Sequence, residues 1–187
     1  MSRCGLPPFE VNNGAQGRAM SRLAKLFVLF VLLMGQGAWC ENALAVTCTS
    51  TATGGNWNAT ATWTGCTGGN GATANTPGSG DTAVIATTGA NVVTANVAIT
   101  VGSVVINSGA LSVGGSNWTV NGTTTVNNSG TIDQALTGGS STFIGLVTVN
   151  TGGTWSNTSN EAVTFRGGIV NNSSFTGGTA TQTYCCW

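Results

Sequence analysis

The chain has 187 residues, enough for one or two modest domains. Only 5% are Asp, Glu, Lys or Arg, none is His, and the formal net charge is zero. So few bases argue against nucleic-acid binding by phosphate neutralisation, and the missing histidine removes mechanisms that use it as base or ligand. Val and Thr are frequent, which favours strands over disorder.

Residues 1–19 resemble neither a signal nor a domain. Met20 stands just ahead of Arg22, Lys25 and an apolar run, so it is the expected start and 1–19 a mis-called extension. Leu26 to Met34 contains no polar residue, and Ala43-Leu44-Ala45 puts small residues at the two positions that a signal peptidase reads. Together these features predict a helical, cleavable secretory signal over 20–45, with a mature chain beginning at Val46 after Ala45. The apolar run is shorter than the roughly 20 residues that span a bilayer, so membrane contact is transient. A buried core helix is the alternative, but nothing amphipathic flanks the run. Lipidation at Cys40 is disfavoured by the bulk of Trp39.

Without residues 1–45 the chain keeps one base, Arg166, against Asp81, Asp133 and Glu161, a net charge of −2 with no lysine. Export permits disulfides. Cys48 and Cys66 flank one short segment and are the natural pair, worth about 3 kcal/mol on the chain-entropy argument. No zinc-type cysteine spacing occurs. Cys185 and Cys186 are adjacent, cannot readily bridge each other, and have no assigned role.

Residues 46–80 carry Trp57, Trp63, Pro77 and both paired cysteines but no repeat. They read as an N-terminal cap over whatever follows, because the end of a stacked β-structure presents unpaired backbone that must be covered. Asp81 is expected to accept backbone hydrogen bonds in a turn.

From Asp81 to residue 187 one pattern recurs. Ile106-Asn107 leads to Leu111, Val126-Asn127 to Ile132, Val149-Asn150 to Trp155 and Val170-Asn171 to Phe175, with a weaker start at Ile85-Ala86. The intervals from Ile85 are 21, 20, 23 and 21 residues. Short β-branched runs end in turn residues such as Asn107-Ser108-Gly109 and Asn150-Thr151-Gly152-Gly153. The predicted fold class is all-β, a right-handed parallel β-helix with about one coil per interval. The alternative is a β-sandwich with evenly spaced strands. In a β-helix, Ile106, Val126, Val149 and Val170 form one inward file. Asn107, Asn127, Asn150 and Asn171 form an amide ladder at one corner. The longer interval requires an insertion that bulges outward around Gln134 to Ser141.

The segment Gly54-Gly55-Asn56-Trp57 through Ala61-Thr62-Trp63-Thr64-Gly65, followed by Pro77-Gly78-Ser79-Gly80-Asp81-Thr82-Ala83-Val84-Ile85, resembles the opening of bacterial surface proteins with β-helical, adhesin or autotransporter-passenger domains. It is also similar to the eight-glycine domain of some cell-surface and hyaluronan-degrading proteins. The resemblance covers about residues 54–113 as a motif, and Cys66 departs from it. It implies an exported surface role and carries over no catalytic residue.

Asp81 and Asp133 belong to different parts of different coils, and Glu161 and Arg166 have the spacing of a weak surface ion pair. No paired carboxylates and no calcium-binding glycine-aspartate repeat occur, so neither catalysis nor a metal or other cofactor is expected. Asn58, Asn117, Asn121, Asn127, Asn157, Asn171 and Asn172 begin N-x-S/T sequons, as chance allows in so Asn- and Thr-rich a chain. An ice-binding face needs threonines ranked on every coil, and the repeat shows no such ranks. The chain closes on Tyr184-Cys185-Cys186-Trp187 with no visible cap or barrel, so the coils are expected to be incomplete.

The expected function is a non-enzymatic, secreted or cell-surface segment with a structural or adhesive role, after periplasmic transit in a Gram-negative host. Its partners would be surface glycans or host and cell-surface proteins. Two alternatives remain: the N-terminal part of a carbohydrate-active β-helix enzyme whose site lies beyond this chain, and a small ice- or carbohydrate-binding module.

Overall fold

The computed structural model describes residues 44–185. Residues 1–43, with Cys40 and all of the expected signal but Leu44 and Ala45, lie outside them, as do Cys186 and Trp187. The described region begins with β1 (Thr47–Ser50), β2 (Gly55–Asn56) and β3 (Trp63–Thr64). Five coils follow. The first holds β4 (Thr82–Ala86), β5 (Val92–Thr94) and β6 (Ile99–Val101). The second holds β7 (Ser103–Gly114), which turns a corner on the way, and β8 (Trp118–Val120). The third holds β9 (Thr124–Val126), β10 (Gly130–Leu136) and β11 (Ser140–Phe143). The fourth holds β12 (Val147–Val149), β13 (Thr154–Ser156) and β14 (Ala162–Phe165). The fifth holds β15 (Ile169–Asn171), β16 (Ser174–Phe175) and β17 (Gln182–Tyr184).

Every pairing between coils is parallel. The fold is therefore a parallel β-helix, not a sandwich. Three faces result. Face A stacks β4, β7, β9, β12 and β15; face B stacks β5, β7, β10, β13 and β16; face C stacks β6, β8, β11, β14 and β17. The alternation of buried and half-exposed residues along most of these strands is the period-2 signature of one face turned inward.

Three inward files form the core. On face A, Ile85, Ile106, Val126 and Val149 are in register. On face B the file is Val93, Leu111, Ile132, Trp155 and Phe175. On face C it is Val101, Val120, Phe143, Phe165 and Tyr184. Aromatic rings gather in the later coils: Phe143 stacks on Phe165 at 5.5 Å, Phe165 on Tyr184 at 5.3 Å, and Trp155 on Phe175 at 5.7 Å. Such pairs add roughly 0.5–1.5 kcal/mol each beyond the area they bury.

The corner from face C to face A is a column of glycines, Gly102, Gly122, Gly145 and Gly167. A Cβ on Gly145 would collide with the backbone of Gly122, and one on Gly167 with that of Gly145. Coil-to-coil contact at this corner is backbone on backbone, which any larger residue forces apart.

The corner from face A to face B holds the amide ladder. Asn127 Nδ2 donates to Asn107 Oδ1 at 2.8 Å, and Asn150 Nδ2 to Asn127 Oδ1 at 2.9 Å. The ladder does not run on through Asn171. In the last coil Val149 pairs with Asn171, so Val170 faces outward and is 42% exposed, one position off the predicted inward file. The corner that follows is shorter. Five residues lie between Val149 and Trp155, but only three between Asn171 and Phe175. Asn171 therefore turns onto its own loop, accepting from Ser173 N at 3.2 Å and donating to Ser173 O at 3.2 Å. Asn172 takes the backbone place of Asn150, its N–H donating to Val149 O at 2.8 Å. Asn127 is the one ladder member bonded on both sides. We expect Asn127→Ala to lower the unfolding free energy by about 1–2 kcal/mol, as for two net hydrogen bonds at a partly exposed site. Asn171→Ala should lower it by less. Paired urea titrations check both.

The insertion lies partly where predicted, with Thr137 and Gly138 in an exposed bend, and partly within the strand before it. One extra residue forms a β-bulge in β10 between Gln134 and Leu136. Gln134 and Ser141 turn inward and are buried, with Ser141 Oγ donating to Gln134 Oε1 at 2.7 Å.

At the N-terminal end, β1 pairs parallel with β4 and antiparallel with β3, which covers the first coil's open edge on face A. Trp57 and Trp63 lie buried beneath, edge to face at 4.9 Å. Trp63 Nε1 donates to Trp57 O at 2.7 Å, and Trp57 Nε1 to Pro77 O at 3.3 Å. Cys48 and Cys66 are joined as a disulfide, with Cα atoms 4.4 Å apart.

Candidate functional surface

Chemistry on this scaffold would have to come from few side chains, and the structure uses its acids internally. Asp81 accepts N–H bonds from Gly78 and Asn70 on Oδ2, at 2.9 and 3.0 Å, and from Val46 on Oδ1 at 3.0 Å. Glu161 is buried, not on the surface as its spacing from Arg166 implied, and its Oε1 accepts from Gly138 N at 2.8 Å. Asp133 accepts from Thr158 Oγ1 at 3.1 Å. Each carboxylate fixes a loop, and among the described residues no three His, Cys, Asp or Glu side chains gather.

Asn157, read from sequence as a sequon, is only 2% exposed. Its Nδ2 donates to Glu161 O at 2.8 Å and to Gly177 O at 2.9 Å, while its Oδ1 accepts from Glu161 N. It is a loop staple with its amide satisfied, and the folded chain offers no amide there for glycosylation.

The most regular outward feature is on face C. Thr100, Thr119, Thr142, Thr164 and Thr183 are in register on five successive strands. Each projects from the middle of a strand whose neighbouring residues point inward, so the five side chains stand in one outward line, about 4.8 Å apart along the coil axis. All four pairings keep register without a bulge, whereas faces A and B each contain a shift. The expectation that threonines would not rank from coil to coil is therefore corrected. They rank on face C, away from the Asn corner by which the repeat was recognised. Flanking outward positions on the same strands include Ser140 and Ala162. The line presents methyl and hydroxyl groups with no carboxylate among them.

A second polar feature follows the corner between faces A and B. An open groove of about 460 Å³ is lined by Thr87, Thr88, Ser108, Ser129 and Thr131 with Gly109. It contains hydroxyls but no charged or aromatic side chain.

No family model matches the chain, and neither a curated protein nor a solved structure matches it.

Proposed function

We propose that the chain is an exported, non-enzymatic β-helix of the extracellular space or cell surface, with a structural and adhesive role, and that the threonine line of face C is its adhesive surface. The observation that carries this reading is the register of Thr100, Thr119, Thr142, Thr164 and Thr183. A core fixed by three stacked inward files needs nothing from these outward side chains. Strand propensity favours threonine at outward positions in general, and a partner that reads regular hydroxyls would keep it at one register on every coil.

Export is supported by the basic flank, apolar run and small-residue site of residues 20–45, and by a buried disulfide of the kind an oxidising compartment maintains. A non-enzymatic role is supported by the structural employment of Asp81, Asp133 and Glu161. The resemblance of residues 54–113 to β-helical adhesins and passenger domains points the same way. A face rich in hydroxyls and poor in charge suits neutral surface glycans better than anionic partners, since it offers hydrogen bonds without Coulomb attraction.

The test is binding of the exported protein to immobilised neutral polysaccharides. Replacing Thr142 and Thr164 by Lys places two large charged groups mid-face on outward positions, so the fold should survive. Binding should weaken at least about tenfold, a loss of 1.4 kcal/mol. Unchanged binding would move the adhesive surface elsewhere, with the groove beside Ser108 and Ser129 next in line. The same regular line also supports a second reading, an ice-binding module that orders water. Growth inhibition of ice crystals, lost in the same double variant, would select it.

A further inference from the structure

We propose that removal of the signal completes the fold: cleavage after Ala45 creates an α-ammonium on Val46 that pairs with the buried carboxylate of Asp81. The inference rests on the reading of the chain as exported, and it assigns the new amino terminus a fixed seat.

The geometry begins at Asp81, which is 2% exposed. Oδ2 is saturated by Asn70 N and Gly78 N, and Oδ1 faces Val46 N at 3.0 Å. Burying a carboxylate against neutral N–H groups alone is costly, and a cation at the same place offsets much of that cost. The mature sequence has no lysine, and its one arginine, Arg166, lies in the fourth coil, far along the chain from Asp81. An amino terminus at Val46 places a cation on the nitrogen that already meets Oδ1.

Val46 is also where the fold takes hold of the chain. Its carbonyl accepts from Thr82 N at 2.9 Å, and β1 begins at the next residue. Leu44, two positions earlier, is 83% exposed, and Ala45 is exposed as well. The bond between Ala45 and Val46 thus lies on the border between solvent and fold, where a peptidase reaches it. The site read from Ala43-Leu44-Ala45 and the seat read from Asp81 fall on the same peptide bond, by independent routes.

The chemistry is a hydrolysis. Water adds to the Ala45 carbonyl, the C–N bond breaks, Ala45 leaves as a carboxylate with the signal, and the Val46 amine takes up a proton. A free α-amine is protonated below about pH 7.7. The single N–H donor then becomes three, one of them already aimed at Oδ1, with a full charge behind it.

The lack of lysine makes the test direct, because the α-amine is then the one primary amine of the mature chain. Full-length protein is expressed for export, the product is mapped by mass spectrometry, and its reaction with an amine-specific acylating reagent is followed at neutral pH. We expect a chain starting at Val46 whose amine reacts about tenfold more slowly when folded than in urea, a difference of 1.4 kcal/mol. Asp81→Asn should abolish that protection. That variant also removes the acceptor that holds the turn, so a second chain carries Gly-Ser inserted between Ala45 and Val46. It keeps the backbone N–H of Val46 but moves the charge away. It should react freely and melt about 4 °C lower. A native amine that reacts as fast as that of the inserted chain overturns the pairing and leaves export intact. A mature chain starting elsewhere overturns the pairing alone, whereas a chain that is neither cleaved nor exported overturns the export reading with it.

Discussion

Phe165→Ala is expected to lower the unfolding free energy by about 3–5 kcal/mol, the range for truncating a fully buried aromatic residue. Phe165 is wholly buried in β14. Its ring stacks on Phe143 at 5.5 Å and on Tyr184 at 5.3 Å, and meets Trp155 at 5.3 Å. The alanine variant opens a cavity that joins the third, fourth and fifth coils at once. In a stack of coils each layer is stabilised by its neighbours, so the damage should concentrate there. Trp155 fluorescence should report it first, with the other tryptophans following later in a urea titration. Thr164→Ala, one residue away but outward, should change stability by no more than about 0.5 kcal/mol. A larger effect at Thr164 than at Phe165 would mean that the inward and outward registers of face C are exchanged.

The contrast between those neighbours shows what the sequence makes legible. The coil period could be read because Ile106, Val126 and Val149 each precede an Asn at a corner, and Asn there is bound to the coil above or below. The last coil misleads because Ile169-Val170-Asn171-Asn172 offers two apolar residues and two asparagines in a row. Either register satisfies the pattern. The structure sets Ile169 beside Val147, and Val170 falls outside. The threonine line was written in the sequence as a triplet, a Thr between two inward residues: Ile99-Thr100-Val101, Trp118-Thr119-Val120, Val163-Thr164-Phe165. Its spacing varies with the loops before it, so a fixed-period search centred on the Asn corner passes over it. The turn role of Asp81 was legible, since Gly78 N three residues back donates to it, but its bonds to Asn70 and Val46, and the employment of Asn157, had no such signal. Which backbone groups a polar side chain will meet depends on loops brought together from different coils, and local pattern does not encode that.

The second large effect concerns the cap. Removing the disulfide by Cys48→Ala with Cys66→Ala should cost about 3 kcal/mol for a bridge with a sequence separation of 18, within a usual range of about 2–5. Where the loss appears matters more than its size. Cys48 lies in β1 beside Ala83 of β4, both fully buried, and β1 is held between β4 and β3. Cys66 lies two residues beyond the end of β3. The bridge therefore ties the cap's returning segment to the strand that covers the first coil. Without it, β1 and β3 can fray together and leave the edge of β4 unpaired. The amides of Thr82, bonded to Val46 O at 2.9 Å, and of Ala86, bonded to Ser50 Oγ at 2.9 Å, should then exchange much faster with deuterium. The amide of Val147, three coils away and bonded to Gly168 O at 3.1 Å, should be nearly unaffected. Equal acceleration at all three would show that the coils unfold as one cooperative unit, with the cap as their common staple. Acceleration confined to Thr82 and Ala86 would show that the cap protects an edge while the aromatic files of the later coils hold on their own.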